Sequence, residues 1–210
     1  MPNQYAQIIN ELRGVYNQDA PRRNKRTPAA WRESIRSDYL GQLQAEGKNK
    51  LLEIGAGPGN DSAYFALHGL QIVATDLSPG MVELCQQKGL EAYVMDFLNL
   101  DFPANSFDAI YAVNCLLHVP KPDLPTVLKA IRRILKKDGV FLLGLYGGIE
   151  RDGPWENDRH EPKRYFALYP DASIQKIVKQ FFTLERFETI ETDDSSNPDM
   201  HFQLMILRHA

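Results

Sequence analysis

The stretch Leu51-Leu52-Glu53-Ile54-Gly55-Ala56-Gly57-Pro58-Gly59-Asn60-Asp61 decides the fold. A short, mostly apolar run enters three alternating glycines without a spacer, and the residues from Asn60 onward carry a helical pattern. A strand that turns on glycine and leaves as a helix opens a βαβ unit. The glycines let the main chain turn tightly and approach a ligand closely. The helix that follows presents unpaired N–H groups with partial positive charge, so a polar ligand is expected there.

Reading toward the C-terminus, short apolar runs at 50–54, 71–75, 91–95, 107–112 and 139–145 predict strands, and 59–69, 79–88 and 122–137 predict helices. This alternation is that of a parallel sheet covered by helices. The helix ending RRILKK is expected to carry Lys136 and Lys137 in its last turn and to stop on a left-handed Gly139. Residues 146–170 are rich in Gly, Pro and charge and read as a long loop. A helix from 171, strands over 183–192 and 201–209, and a polar connection at 193–199 then form a terminal antiparallel hairpin. Reading toward the N-terminus, residues 4–46 are helical with a break at 17–26, after which Thr27 is expected to cap a new helix with Pro28 in its first turn.

Asp76 ends the second strand about 20 residues beyond the glycines, where an acidic side chain on such a sheet accepts hydrogen bonds from both ribose hydroxyls. An adenosine-containing ligand is implied. The spacing is G-x-G-x-G rather than the G-x-G-x-x-G of dinucleotide sites, and Glu53 stands where its charge would oppose a pyrophosphate. A cationic ligand is favoured over a nicotinamide dinucleotide, whose dehydrogenases are the rival on this type of sheet.

With these pieces in place, residues 50–145 resemble the core of the class I S-adenosylmethionine (SAM)-dependent methyltransferases, in particular the bacterial small-molecule group. EIGAGPG matches the first motif, VATDLSPGM the second, YVMDFLNLDFPANSFDAIYAVNCLLHV the third and fourth, and RRILKKDGVFLLG the fifth. KKDG replaces the common basic-Pro-Gly-Gly turn. The resemblance implies an α/β, Rossmann-like, seven-stranded, mostly parallel sheet of order 3-2-1-4-5-7-6 with strand 7 antiparallel, helices on both faces and an N-terminal helical lobe. It implies that Glu53, Gly55, Ala56, Gly57 and Gly59 surround the methionyl part of SAM and that Asp76 holds the ribose. Asp96 would bond the adenine amino group, with Leu77, Met81 and Phe97 against the purine. Asn114 would contact the methionyl end at the substrate mouth. The implied reaction is in-line transfer of the sulfonium methyl to an O, N or S atom of a small molecule, leaving S-adenosylhomocysteine.

One methyltransferase domain is expected over 1–210, with a helical cap at 1–46, a SAM-binding core at 47–145, a substrate lid at 146–170 and a final helix and hairpin at 171–210. Trp155, Arg164 and Tyr165 of the lid, opposed by Tyr16 and Trp31 of the cap, are the candidate acceptor-binding residues. If the acceptor loses a proton, His118, Tyr146 and His160 are candidates to take it. The basic run Arg22, Arg23, Lys25 and Arg26 reads as a solvated linker. Cys115 reads as a buried apolar residue.

The 210 residues, 43% hydrophobic and 24% charged, suit a soluble globular chain, and a net charge of −3 gives no overall pull toward nucleic acid or anionic lipid. MPNQYAQIIN lacks the texture of a secretion signal, Cys85 and Cys115 have no redox or metal spacing, and the cytoplasm is the expected location, with no bound metal. The functional rivals are a non-catalytic SAM-binding protein and a tRNA or protein methyltransferase. Salt-dependent RNA binding would mark the tRNA enzyme.

Overall fold

The computed structural model describes residues 4–192, 197 and 199–210. Two helices, α1 (Gln4–Asn24) and α2 (Ala30–Ala45), precede β1 (Lys50–Ile54), α3 (Asn60–Leu67), β2 (Gln71–Asp76), α4 (Pro79–Gln87) and β3 (Glu91–Val94). Then come β4 (Phe107–Val113), a 3₁₀ turn at Leu116–His118, α5 (Leu124–Ile134) and β5 (Leu135–Gly147). The chain ends with β6 (Arg151–Pro154), β7 (Tyr165–Leu168), α6 (Asp171–Val178), β8 (Thr183–Ile190) and β9 (His201–Arg208).

The main sheet has seven strands in the order β3-β2-β1-β4-β5-β9-β8. With the small β6–β7 hairpin set aside, this is the expected 3-2-1-4-5-7-6. Strand β1 runs parallel to both neighbours, with Leu52 opposite Val73 and Ile110, and β9 runs antiparallel between β5 and β8. Alternation along the strands divides the core in two. Leu52, Ile110, Phe141, Leu143 and Met205 meet α5, α6 and the apolar side of α1. Leu51, Tyr111, Leu142, Phe202 and Leu204 meet α2 and Phe65 of α3. Strands buried on both faces read as continuous apolar runs, which is why β1, β4 and β5 stand out in the sequence.

Three expectations about element boundaries are corrected. Helix α1 continues through the breaker-rich segment to Asn24, with Pro21 inside it. Asp19 pairs with Arg22 at 2.6 Å and Arg23 at 3.0 Å, and Ala20 is buried, so local ion pairs and packing outweigh the proline. Helix α2 begins at Ala30 rather than after Thr27, and its extended N-cap, Ala29, makes no side-chain cap. Helix α5 stops at Ile134 because Leu135 is fully buried beside Phe107 of β4, which draws the chain straight into β5 across a register shift. Lys136 and Lys137 are therefore strand residues, and the left-handed position is Asp138 at φ 58°, not Gly139.

Segment 146–170 is also more regular than the long loop expected. Strands β6 and β7 pair antiparallel, with Arg151 opposite Leu168 and Pro154 opposite Tyr165. The hairpin sits beside the 3₁₀ turn that follows β4, where Nδ1 of His118 lies 2.6 Å from the Tyr165 carbonyl. Most of the 193–199 connection lies outside the described residues. No helix among the described residues is long and apolar enough to cross a membrane.

Candidate functional site

The carboxyl ends of β1 and β4 open into a cavity of about 520 Å³, the position at which open α/β sheets bind ligands. Glu53, Gly55, Ala56 and Gly57 form its floor, and Asn114 its β4 side. The glycines serve different ends. A Cβ on Gly55 would stand 2.3 Å from that of Cys115, so close packing requires this glycine. Gly57, at φ 56°, would meet nothing within 4 Å. Its missing side chain leaves open space in the cavity wall, a cradle that a Cβ would fill. Gly59 packs against Cys85 and Leu90 and is not part of the lining.

Asp76 fastens this loop. Its carboxylate accepts from the Gly57 amide at 2.8 Å and from the Ser78 amide at 2.9 Å. Burial raises its pKa, and these two bonds oppose the rise. Asp96 closes the turn after β3 by accepting from the Leu98 and Asn99 amides at 2.8 and 3.2 Å. Leu77 and Phe97 pack against the cluster that holds Tyr5, Ile8 and Leu12 of α1, and Met81 is buried. Asn17 of α1 also reaches the Gly80 amide at 2.7 Å. The five residues assigned by resemblance to ribose and purine do not line the cavity, and Asp76 is joined to its wall through the Gly57 amide.

Two groups in the cavity carry unmet polar demand. Asn114 has a left-handed backbone at φ 56°, and its Oδ1 is a buried acceptor without a hydrogen-bond donor among the described residues. Glu53 is 4% exposed and accepts from the Ser62 hydroxyl. Its pKa is raised, first by burial and then by the field of Asp61. An acceptor without a donor and a carboxyl held from ionising both suit a cationic or N–H-bearing group. Among the described residues no group of three or more His, Cys, Asp or Glu side chains could hold a metal ion.

The opposite wall joins α1 to the β6–β7 hairpin. Because the Tyr165 carbonyl can only accept, Nδ1 of His118 carries the proton, and Nε2 accepts from the Tyr16 hydroxyl at 2.5 Å. Arg164 donates to the same Tyr16 oxygen at 3.2 Å. It also grips Asp158 through two bonds, Nε to Oδ2 at 2.7 Å and Nη2 to Oδ1 at 2.9 Å. Burial opposes the charge on Asp158, but Arg164 and then His160 override it and hold the carboxyl well below the usual range. Burial pulls His118 down to about 3, so its imidazole is neutral.

Of the side chains anticipated from sequence, Tyr16, Trp31, His118, Tyr146, Trp155 and Arg164 line the cavity together. Tyr165 and His160 do not. The Tyr165 hydroxyl donates to Asp152 at 2.6 Å, within the hairpin. His160 lies between Asp158 at 3.0 Å and Asp19 at 3.4 Å. Conversely, Arg23 and Arg26, read as a solvated linker, stand on the cavity wall with Arg159. Sequence spacing could not signal this, because these arginines meet only when α1 folds back onto the hairpin.

Residues 52–143 match a methyltransferase domain family. Over 106 residues the chain is 45% identical to a sterol 24-C-methyltransferase of Aspergillus fumigatus, covering 50% of this chain and 27% of that protein. It is 32% identical over 116 residues to a ubiquinone biosynthesis O-methyltransferase of Xanthomonas oryzae, covering 52% and 48%. The chain spans half or less of the length of the curated relatives it matches. In fold it is similar to the 1,6-didemethyltoxoflavin-N1-methyltransferase of Burkholderia thailandensis, with a TM-score of 0.72 and 24% identity over 99% of this chain and 90% of that one. Residues 52–143 thus match a methyltransferase domain and are carried on a seven-stranded sheet of this order.

Proposed function

We propose that the protein transfers the methyl group of SAM to an O, N or S atom of a small-molecule acceptor. The observation that carries this reading is the pairing, in one cavity, of the open space at Gly57 with the donor-less Oδ1 of Asn114. Glu53, Gly55, Ala56, Gly57 and Asn114 would hold the methionyl end. Asp76, Leu77, Met81, Asp96 and Phe97 would hold the adenosine where α1 adjoins them. The relatives named for sterol and ubiquinone-pathway methylation support a small acceptor, as does a cavity of this size. The burial of both free cysteines supports a reducing, cytoplasmic setting.

Bound SAM supplies a methyl already activated as a sulfonium, so the remaining work is binding, orientation and exclusion of water. Such orientation lowers a barrier by roughly 7–11 kcal/mol. The aromatic wall of Trp31, Tyr146, Trp155 and Phe166 would hold the acceptor over the floor of the cavity. Tyr16 keeps one oxygen lone pair beyond its bond from Arg164, and that lone pair can orient an acceptor O–H or N–H. His118, neutral and committed to Tyr16, is better suited to positioning that hydroxyl and relaying a proton than to acting alone as a base.

Calorimetric titration with SAM, S-adenosylhomocysteine and NAD in parallel tests the reading. Micromolar binding of the first two without NAD is expected. NAD binding without SAM binding would overturn it.

A further inference from the structure

The cavity reaches the methionyl half of the cofactor site and stops short of the adenosine half. Gly57 and Asn114 line it, whereas Asp76, Leu77, Met81, Asp96 and Phe97 do not. Helix α1 stands against this second group. Asn17 sets its Oδ1 on the first turn of α4, where it accepts from the Gly80 amide at 2.7 Å and the Ser78 hydroxyl at 3.2 Å. Ser78 is fully buried and Met81 is 1% exposed. Leu77 and Phe97 share one apolar cluster with Tyr5, Ile8 and Leu12 of α1, and the Tyr5 phenol lies in the field of Asp96. At the far end of the helix, Lys88 donates to Asn24 Oδ1 at 2.7 Å and to the Pro58 carbonyl of the glycine loop at 2.5 Å.

Gly80 permits this approach. A Cβ there would stand 2.8 Å from Asn17 Oδ1 and 3.6 Å from the Ala20 Cβ, so α1 lies directly on α4. The same helix reaches the acceptor side, where Tyr16 meets His118 at 2.5 Å and Arg164 at 3.2 Å. Helix α2 is held in the core by Tyr39 and Leu43, both buried, whereas residues 25–29 between the helices form neither helix nor strand and include Pro28. A proline and the residue before it resist continuation of a helix, so the two helices do not form one rod. α1 can pivot on this segment while α2 stays in place.

Resting on the methyltransferase reading, we infer that α1 is a strap across the adenosine half of the cofactor site, latched to α4 by Asn17, and that SAM enters and S-adenosylhomocysteine leaves when the strap lifts. Lifting breaks the Asn17 bonds to Gly80 and Ser78 and the Tyr16 bonds to His118 and Arg164. The motion that admits the nucleoside therefore takes Tyr16 away from the acceptor wall, which is complete only after the cofactor is enclosed.

A lock can be built at this contact. The 3.6 Å between the Ala20 Cβ and a Cβ on Gly80 falls within the roughly 3.5–4.5 Å of disulfides, and the native Cys85 and Cys115 are buried. In Ala20→Cys/Gly80→Cys, oxidation ties α1 to α4 and dithiothreitol frees it. The chain's two tryptophans, Trp31 and Trp155, both line the cavity, and their fluorescence follows the ligand. The reduced protein is expected to take up and release S-adenosylhomocysteine as the wild type does. Locked while empty, it is expected to take the ligand up at least about tenfold more slowly, and locked after loading, to release it at least about tenfold more slowly. Retention in the loaded arm separates a gate from a damaged site, because distortion by the crosslink would hasten release. Asn17→Ala removes the latch without a crosslink and is expected to speed uptake and release together, by about threefold or more.

Equal rates in the oxidised and reduced protein would overturn the inference, as would faster release from the loaded, locked form or unchanged rates in Asn17→Ala. No binding of S-adenosylhomocysteine by the reduced and wild-type proteins would instead overturn the methyltransferase reading on which the strap rests.

Discussion

The hydroxyl of Tyr16 on α1 donates to Nε2 of His118 after β4 at 2.5 Å, joining residues 102 positions apart in the cavity wall. The His118 lone pair is thereby used, and its burial keeps the ring neutral. For an acceptor that must lose a proton, Tyr16→Phe is expected to lower turnover about 10²-fold with little change in SAM affinity. Single-turnover rates with acceptor and SAM both saturating would measure this. An unchanged rate in Tyr16→Phe would leave the pair a fastening between α1 and the core.

The two cavity glycines should fail in different ways. Gly55→Ala drives a methyl into Cys115 and is expected to lower the melting temperature before it affects binding. A Cβ at Gly57 meets no packed atom, and in Gly57→Val the left-handed backbone costs about 1–2 kcal/mol for a residue with a side chain. Its main consequence is a filled cradle, so the variant is expected to fold and to lose SAM binding by calorimetry. Asp76→Ala releases the Gly57 and Ser78 amides together and is expected to weaken SAM strongly. Wild-type affinity in Gly57→Val or Asp76→Ala would remove the glycine loop from the site.

The unequal legibility of these features has a physical cause. β1 and its glycine turn were readable because a strand buried on both faces reads as a nearly continuous apolar run, so Leu51, Leu52 and Ile54 announce it and the buried Glu53 stands out as the exception. The end of α5 was not readable, because its stop is set by the burial of Leu135 against Phe107, two residues on different elements. The acceptor wall was half readable. Aromatic residues gathered after β5 marked it, but the contacts Tyr16–Arg164 and Asp19–His160 span 148 and 141 positions. Only the return of α1 over the sheet turns a charged run into part of a cavity.

Helix α2 is fastened to the opposite face of the sheet by one side chain. Tyr39 is 1% exposed and donates to the carbonyls of Ile110 and Val140, both at 2.9 Å, from the helix into neighbouring strands. Tyr39→Phe keeps the ring and removes the donor, at a cost of about 1–2 kcal/mol. The melting temperature is expected to fall by roughly 2–4 °C for each kcal/mol lost, with SAM affinity unchanged. A loss of SAM affinity alongside an unaltered melting temperature would place Tyr39 in the site instead of under it.

Glu53 makes cofactor binding pH-dependent in a definite direction. Burial, and then Asp61, raise its folded pKa above the ordinary 4.5, while the Ser62 hydroxyl works against the rise. In the ligand-free protein the neutral form is therefore favoured. Its stabilising contribution is fully present below pH 4.5 and is lost as pH rises through the folded value. A ligand carrying an ammonium or sulfonium next to Glu53 selects the carboxylate and must displace this proton. SAM affinity is thus expected to rise with pH between 4.5 and the raised folded value and to level off above it. Across that window, titrations in buffers of different ionisation enthalpy should register proton release on binding. Glu53→Gln is expected to bind SAM more weakly at high pH and to abolish both the slope and the released proton. A slope that survives in Glu53→Gln would move the titrating group elsewhere.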